Sequence, residues 1–168
     1  RLLSEASVLA NVMIGLHRHE ASSTPAALLG LPAASRETAA MTERAMKLLA
    51  DFELTQFADY PAGGLSYGHQ RKVEMARALA TEPDFMLLDE PIAGMNDVES
   101  DALAEIFRGF AAAGKGVLLI EHNVRFVARL CSHVYVLDGG RLISEGAPEH
   151  VLNDPVVITA YLGGEDDA

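Results

Sequence analysis

Two short apolar runs with a helical segment between them constrain the fold of this chain most strongly. The runs are residues 85–88 and 116–120, and uninterrupted apolar runs of this length are typical of strands that are buried on both faces of a parallel sheet. The segment between them is expected to be a helix that ends at Gly114 and begins at Asn96 or Asp97, because apolar residues recur in it at helical spacing: Leu103, Ile106, Phe107 and Phe110. This order predicts an α/β fold built on a strand–helix–strand unit with a right-handed crossover.

The end of the chain predicts a hairpin followed by two short helices. Residues 134–137 are apolar, residues 138–140 read Asp-Gly-Gly, and residues 141–143 resume the pattern, which is typical of two strands joined by a tight turn. Pro148 and Pro155 stand where the first turn of a helix accepts proline, because that turn does not need the missing N–H.

The first 80 residues are expected to be helical. A first helix should begin after a Ser7 cap, a second should follow a connection over residues 21–35, and a third should cover residues 66–80 after a break at residues 60–64. Each has apolar residues at helical spacing: Val8, Leu9, Val12, Met13 and Leu16; Met41, Ala45, Leu48 and Phe52; and Val73, Ala76 and Ala80. We therefore expect a helical subdomain over residues 1–80 and a second unit over residues 81–168.

Charge and composition argue against several classes of function. Acidic residues outnumber basic ones by 24 to 13, and the net charge of −11 disfavours non-specific binding to nucleic acids or to anionic membranes. The single cysteine, Cys131, excludes an internal disulfide. The apolar runs are far shorter than the roughly 18 residues that span a membrane. Residues 1–16 could also be read as a signal peptide, but Asn11 interrupts their apolar stretch.

Two adjacent carboxylates follow the first predicted strand. In open α/β sheets, ligands bind at the carboxyl ends of the strands, and Asp89 and Glu90 lie at such an end. Successive strand residues point to opposite faces, so one carboxylate can hold a hydrated Mg²⁺ while the other orients or deprotonates a water molecule. The alternative is a solvated pair of acids where a strand leads into a loop.

Two further segments carry candidate functional residues. His122 follows the second predicted strand, where it could contact a phosphate or polarise a reacting group; an ordinary helix-capping histidine fits the same position. Ser66 can cap the third helix, and Gly68 allows backbone amides to approach a ligand closely. Free N–H groups at a helix N-terminus bind anions, so this segment is a candidate anion site, with an ordinary helix start as the alternative.

Together, these segments resemble the ATP-binding subunits of ABC transporters. Residues 65–71, Leu-Ser-Tyr-Gly-His-Gln-Arg, are similar to the family's signature motif, residues 85–90 to its Walker B strand, residues 93–97 to its D-loop and residues 121–122 to its switch-histidine loop. The resemblance extends over essentially the whole chain. The signature, the D-loop and residues 154–163 look most like importers of branched-chain amino acids, with the urea and amide importers as close alternatives.

The resemblance implies a partial P-loop NTPase core plus a helical subdomain that carries the signature motif. It also implies roles for single residues: Asp89 would bind Mg²⁺, Glu90 would be the general base for ATP hydrolysis, and His122 would contact the γ-phosphate. Phosphoryl transfer needs mainly positioning and neutralisation of charge, which these groups would supply.

In this family the signature motif acts on the nucleotide of the opposite subunit. Ser66, Gly68 and Gln70 would bind that ATP, and Asn96 would lie at the interface between two ATPase subunits. The implied partners are an identical or paralogous ATPase, membrane permease subunits and, indirectly, an external solute-binding protein, with no nucleic acid. The implied location is the inner face of the cytoplasmic membrane, where ATP hydrolysis would energise import of a small solute such as a branched-chain amino acid.

Two other classes of function stay open. An ABC-type ATPase that works on DNA or on ribosomes would share these motifs, although the net charge of −11 argues against it. A non-catalytic docking module is the second alternative.

The sequence departs from the family pattern in four ways. Tyr67 replaces a signature glycine, His69 replaces a glutamine, and Asn96 stands where many relatives have aspartate. The phosphate-binding motif G-x-x-x-x-G-K-[ST] does not occur in the 168 residues. We therefore expect the C-terminal portion of a longer ATPase, which in isolation binds little or no ATP and does not hydrolyse it.

The absent motif also predicts a gap in the sheet. In the family, the strand before the phosphate loop lies between the two strands that we place at residues 117–121 and 133–138. Without that strand, backbone edges and apolar side chains would be exposed. We expect the gap to be closed by strand rearrangement or by pairing with another copy of the chain.

Overall fold

The fold joins a helical first part to a second part in which strands and helices alternate. The computed structural model describes residues 2–17 and 32–162. In chain order the elements are α1 (Val8–Leu16), α2 (Pro32–Asp51), α3 (Tyr67–Ala80), β1 (Phe85–Asp89), α4 (Asp97–Ala112), β2 (Gly116–Ile120), α5 (Val124–Leu130), β3 (Val134–Asp138), β4 (Arg141–Gly146), α6 (Pro148–Val151) and α7 (Pro155–Leu162), with 3₁₀ turns at Thr55–Phe57 and Ala62–Gly64. This order confirms the predicted α/β class.

The three helices of the first part enclose most of the core. Ser7 caps α1 by accepting the N–H of Ala10 at 3.1 Å, as predicted. The apolar faces of α1 and α3 point inward. Gly15 of α1 lies so close to α3 that a Cβ at this position would be 2.3 Å from the carbonyl oxygen of Arg77. The residues that form this packing are Val8, Val12, Leu16, Met41, Ala45, Leu49, Phe52, Val73, Ala76 and Ala80.

One detail of the helical prediction was wrong. Helix α2 begins at Pro32, inside the connection predicted over residues 21–35, since proline suits the first turn of a helix; residues 18–31 of that connection lie outside the described residues. Leu48, predicted on the apolar face of this helix, is partly buried and packs against the core, and its neighbour Leu49 is fully buried. Asn11, the polar residue that interrupts the first apolar stretch, is also buried. Its side-chain Oδ1 accepts the N–H of Leu3 and its Nδ2 donates to the carbonyl of Leu3.

The strands form two separate pairs. Strands β1 and β2 are parallel, with Phe85 opposite Gly116 and Asp89 opposite Ile120, and α4 is the crossover between them. Strands β3 and β4 form the predicted antiparallel hairpin. Within the described residues β2 does not pair with β3, so the predicted closure of the gap by strand rearrangement was wrong. Closure by pairing with another copy stays a prediction.

One face of the parallel pair is uncovered. Met86 and Leu88 are buried in the core with Leu103 and Phe107 of α4, but the alternate residues point away from it. Those side chains are 50–73% exposed: Phe85, Leu87, Leu118 and Ile120. The prediction that both strands are buried on both faces was therefore wrong, because the helices of the described ranges cover only one face of this sheet. We call these four side chains the open sheet face.

Helix α5 was not predicted from the sequence. Asn123 caps it by accepting the N–H of Phe126 at 3.0 Å, and Phe126 is buried. The capping asparagine was the available signal. Across residues 2–17 and 32–162, no helix has the length and apolar character that crossing a bilayer requires.

Candidate functional site

The carboxylates and the imidazole that follow β1 and β2 lie together. Asp89 is the last residue of β1 and pairs with Ile120, the last residue of β2. Glu90 follows Asp89 directly and His122 lies two residues beyond Ile120, and Nδ1 of His122 lies 3.5 Å from Oε1 of Glu90. Both are largely exposed, at 54% for Glu90 and 77% for His122, so the pair faces a space that a ligand can enter.

The backbone of Glu90 is held in an unusual conformation. Its φ of +44° lies in the left-handed region, which costs a non-glycine residue roughly 1–2 kcal/mol. Its N–H donates to the carbonyl oxygen of Ile120 at 2.9 Å, which continues the β1–β2 ladder by one bond. The strand pairing therefore fixes this turn, and with it the direction in which the Glu90 carboxylate leaves the sheet.

Glu121 is a residue of the site to which the sequence assigned no role. Its side chain is 1% exposed, and its Oε2 accepts the N–H groups of His122 and Asn123 at 3.0 and 3.1 Å. Its Oε1 is buried without a hydrogen-bond partner among the described residues. These bonds fix the backbone that carries His122. A carboxylate immediately before the histidine was the only signal, and its direction could not be read from the sequence.

The signature segment, residues 65–71, is ordered by its own polar groups. Ser66 caps α3 by accepting the N–H of His69 at 3.4 Å, as predicted. The amide Nε2 of Gln70 donates to the carbonyl oxygen of Leu65 at 2.9 Å, so this side chain is directed at the loop before the helix. The His69 ring packs on Phe57, with centroids 4.9 Å apart. Gln70 thus holds the loop, whereas the Ser66 side chain is exposed.

Gly68 packs against the D-loop. A Cβ on Gly68 would lie 3.0 Å from the carbonyl oxygen of Gly94, which itself has a φ of +77°. The neighbouring Tyr67 ring is half-exposed, lies beside Gly94 and accepts a hydrogen bond on its hydroxyl from Nε of Arg71 at 3.1 Å. Packing inside the chain is therefore sufficient reason for glycine at position 68.

The D-loop, residues 93–97, ends in a capping box. Oδ1 of Asn96 accepts the N–H of Glu99 at 2.9 Å, and Oε2 of Glu99 accepts the N–H of Asn96 at 3.1 Å. Nζ of Lys72, on α3, donates to the other Glu99 oxygen at 3.2 Å. The backbone hydrogen bond from Asn96 is the main cause that lowers the pKa of Glu99, and Lys72 lowers it further. Of these residues, only Asn96 was predicted from the sequence; Lys72 and Glu99 were not.

The donor set at the strand ends fits a hydrated Mg²⁺. Magnesium in phosphate-handling sites keeps several waters and binds through one or two carboxylates together with phosphate oxygens. Asp89 is exposed at the strand end beside Glu90, which suits such binding. In the described part of the chain, no group of three His, Cys, Asp or Glu side chains could enclose a metal by itself. Any Mg²⁺ here would therefore depend on water and phosphate ligands.

Two family profiles match the chain. The profile described as "ABC transporter" matches residues 2–93, and the profile described as "Branched-chain amino acid ATP-binding cassette transporter" matches residues 141–167. The first match alone covers more than half of the chain and includes the signature segment and the Walker B strand.

Curated relatives point in the same direction. The chain is 37% identical over 164 residues to the high-affinity branched-chain amino acid transport ATP-binding protein BraF of Pseudomonas aeruginosa, and 34% identical over 164 residues to LivG of Escherichia coli K12, which carries the same description. Each match covers 97% of this chain and 64% of the relative. The lipopolysaccharide export system ATP-binding protein LptB of Haemophilus influenzae is 40% identical over 121 residues, which cover 72% of this chain and 50% of the relative.

Solved structures show the same fold. The ADP conformation of an ATP-binding cassette of an ABC transporter matches with a TM-score of 0.71 and 32% identity, covering 96% of this chain and 64% of that one. A nucleotide-free ATP-binding cassette matches with a TM-score of 0.72 and 33% identity, covering 95% and 64%. The chain therefore spans about 64% of the length of these relatives.

Proposed function

The chain belongs to the ABC transporter family, and from that premise we propose that it is the signature- and Walker B-bearing part of an ATPase that energises import of branched-chain amino acids. One observation carries the proposal: Glu90 and His122 lie 3.5 Å apart at the carboxyl ends of two paired strands, directly beside Asp89. This is the edge of an α/β sheet at which ligands bind.

In this proposal three residues act on the terminal phosphate. Glu90 accepts the proton of the attacking water, His122 contacts the γ-phosphate, and Asp89 holds Mg²⁺ through water. The bound Mg²⁺ would neutralise phosphate charge. The fixed backbone of Glu90 and the Glu121 bonds under His122 support this assignment, since phosphoryl transfer depends mainly on the positioning of such groups.

The signature segment serves a second subunit in this proposal. Ser66 and Gly68, at the free end of α3, would bind ATP held by an identical or paralogous ATPase. Gln70 would contribute by holding the loop before the helix, and Asn96 would lie at the interface between the subunits. Residues 1–80 would form the helical subdomain, and residues 81–168 would be part of the nucleotide-binding core.

The choice of substrate rests on the relatives. Proteins described as branched-chain amino acid transport ATP-binding proteins match nearly the whole chain, whereas LptB matches 72% of it. The profile over residues 141–167 also carries a branched-chain description. We therefore place the ATPase beneath membrane permease subunits at the inner face of the cytoplasmic membrane, served by an external solute-binding protein.

We further propose that the 168-residue chain alone does not hydrolyse ATP. The chain has no G-x-x-x-x-G-K-[ST] sequence to surround the β- and γ-phosphates. Calorimetric titration of the chain with Mg-ATP should therefore give no measurable heat of binding. A site of micromolar affinity would contradict this part of the proposal.

A hybrid ATPase tests the proposed function. The 168-residue chain would replace the segment of BraF that it matches, so that BraF supplies the part that the match does not cover. The hybrid would be expressed with the BraF permease partners. We expect ATP-dependent uptake of leucine, isoleucine and valine. A folded hybrid that hydrolyses ATP without driving uptake would contradict the substrate assignment. A second hybrid, built in the same way with LptB, tests lipopolysaccharide export as the alternative. A folded hybrid without ATPase activity would contradict the proposed function.

A further inference from the structure

A buried lysine joins the signature helix to the helix that follows the D-loop. Lys72 lies in the second turn of α3, its side chain is 6% exposed, and its Nζ donates to Oε1 of Glu99 on α4 at 3.2 Å. Burial of an ammonium group is costly unless the charge is paired and hydrogen-bonded. The pair with Glu99 satisfies that requirement and links two helices across the core.

Glu99 holds the D-loop with its other oxygen. Oε2 accepts the N–H of Asn96 at 3.1 Å, while Oδ1 of Asn96 accepts the N–H of Glu99 at 2.9 Å. Both carboxylate oxygens belong to one planar group, so a shift of Lys72 turns that group and weakens the bond to Asn96. The end of the D-loop is therefore connected to α3 through a single side chain.

A second contact joins the same two segments. Gly68, one helical turn before Lys72, lies against Gly94 in the D-loop, where an added Cβ would be 3.0 Å from the carbonyl oxygen. Residues four apart share one face of a helix. Backbone packing at Gly68 and the ion pair at Lys72 thus hold the beginning and the end of the D-loop against the same face of α3.

The surroundings of Lys72 favour a positive charge. A cavity of about 10 Å³ adjoins it, and the acidic residues among its lining are Asp51, Glu53 and Glu99. The volume is about what one water molecule needs. The arginine of the Lys72→Arg variant keeps the positive charge that these acidic residues favour.

We propose that Lys72 is a positioning residue that, through Glu99, holds the D-loop against the signature helix, so that the two segments move as one body. The consequence of this link for catalysis rests on the proposed function, in which the D-loop and the signature helix would reach the ATP of the opposite subunit together. Lys72 itself does not act on the nucleotide. Its loss should therefore lower kcat for ATP hydrolysis and leave KM for ATP within about twofold.

Amide hydrogen exchange on the 168-residue chain tests the link directly. Lys72→Met should speed exchange at residues 96–100 by roughly 10- to 100-fold, since a charge-assisted hydrogen bond is lost locally. Lys72→Arg should restore slow exchange. Lys47→Met, the same replacement at an exposed lysine of α2, is the matched control and should change nothing there. Unchanged exchange in Lys72→Met, or an equal rise throughout α3 and α4, would overturn the inference.

A second pair of variants keeps the test decisive if Lys72→Met does not fold. Glu99→Gln removes the charge toward Lys72 and keeps an oxygen for Asn96, whereas Glu105→Gln makes the same change at an exposed position of α4. Only Glu99→Gln should speed exchange at residues 96–100. Equal effects of the two variants would overturn the inference.

The hybrid ATPase separates this inference from the proposed function. Lys72→Met should lower kcat by about tenfold with KM nearly unchanged, and Lys72→Arg should restore most of it. Faster exchange with an unchanged kcat would overturn the catalytic part. A hybrid with Lys72 that hydrolyses no ATP contradicts the proposed function, and the exchange result then decides whether the D-loop link exists.

Discussion

Nδ1 of His122 lies 3.5 Å from Oε1 of Glu90, although all of α4 and β2 separate these residues in the chain. The in-register parallel pairing of β1 with β2 brings them together, because both strands end at the same edge of the sheet. Neither residue depends on the other for its backbone: the Glu90 N–H is bonded to Ile120, and Glu121 binds the N–H of His122. The site is therefore held by the ends of the strands.

Replacement of Glu90 by glutamine should separate catalysis from folding. In the hybrid ATPase, Glu90→Gln should lower ATP hydrolysis by about 10²- to 10⁴-fold, because the amide cannot accept the proton of the attacking water. The side chain is 54% exposed, so the free energy of unfolding should change by less than about 0.5 kcal/mol. Steady-state kinetics and urea denaturation measure the two effects.

A matched carboxylate provides the control for Glu90. Glu145 is exposed on β4, which belongs to the antiparallel pair and not to the parallel pair that carries Glu90. Glu145→Gln should leave both hydrolysis and stability unchanged. If the two variants hydrolyse ATP equally fast, Glu90 is not the general base.

Much of this fold could be predicted from sequence because local signals and packing agree. Several features lie where local sequence signals predicted them: the Ser7 and Asn96 caps, the prolines at the starts of α6 and α7, and the β3–β4 turn. The motifs at residues 65–71 and 85–90 led to the family because their order along the chain is characteristic. The proximity of Asp89, Glu90 and His122 could be predicted because paired parallel strands end at the same edge of the sheet.

The parts that could not be predicted depend on contacts between distant residues. Apolar runs such as residues 85–88 indicate a strand, but whether a second layer covers Leu87 depends on elements outside the run. The Lys72–Glu99 pair is invisible in the sequence, since lysine on a helix is usually solvated. The role of Glu121 could not be predicted because the direction of its side chain depends on how α5 follows β2.

Two glycines should respond in opposite ways to the same substitution. Gly15→Ala would place Cβ 2.3 Å from the carbonyl oxygen of Arg77, and backbone atoms of α1 and α3 cannot separate cheaply, so we expect a loss of at least about 2 kcal/mol of unfolding free energy. Gly109→Ala, in α4 with no atom within 4 Å, should gain about 0.5–1 kcal/mol from helix propensity. Thermal and urea unfolding of both variants check the signs. A neutral Gly15→Ala variant would contradict the packing of α1 on α3.

Removal of the Glu121 carboxylate should destabilise the loop that carries His122. Glu121→Ala leaves the N–H groups of His122 and Asn123 without their acceptor, which should cost about 1–3 kcal/mol of unfolding free energy. Glu121→Gln keeps one acceptor oxygen and should cost less. Urea denaturation measures both, and equal stability of Glu121→Ala and the unmodified chain would show that the carboxylate does not hold this loop.

The open sheet face should make the isolated chain self-associate. Leu87 is 73% exposed and Leu118 is 50% exposed, on a sheet whose edge strand β2 is unpaired on one side within the described residues. Exposed edges and apolar patches of this kind promote association. Leu87→Thr with Leu118→Thr should weaken association about tenfold in sedimentation velocity, with little change in stability. Val156→Thr, at a site on α7 that is 55% exposed, is the control; an equal effect there would rule out the sheet face as the contact.

Acid should remove the contribution that Glu99 makes to the stability of the chain. The hydrogen bond from the Asn96 N–H, with help from Lys72, lowers the pKa of Glu99 below its ordinary value of 4.5. A carboxyl group whose pKa is lower in the folded state stabilises fully above its unfolded pKa, and this stabilisation disappears as the pH falls through the lowered value. The stability difference between the unmodified chain and Glu99→Gln should therefore be constant above about pH 5 and shrink below about pH 4.5. The hydroxyl of Ser144 lowers the pKa of Asp154. Because Asp154 is present in both proteins, its titration does not change the stability difference between them. Urea unfolding at a series of pH values measures the difference, and a difference that grows toward acid would contradict the bond between Glu99 and Asn96.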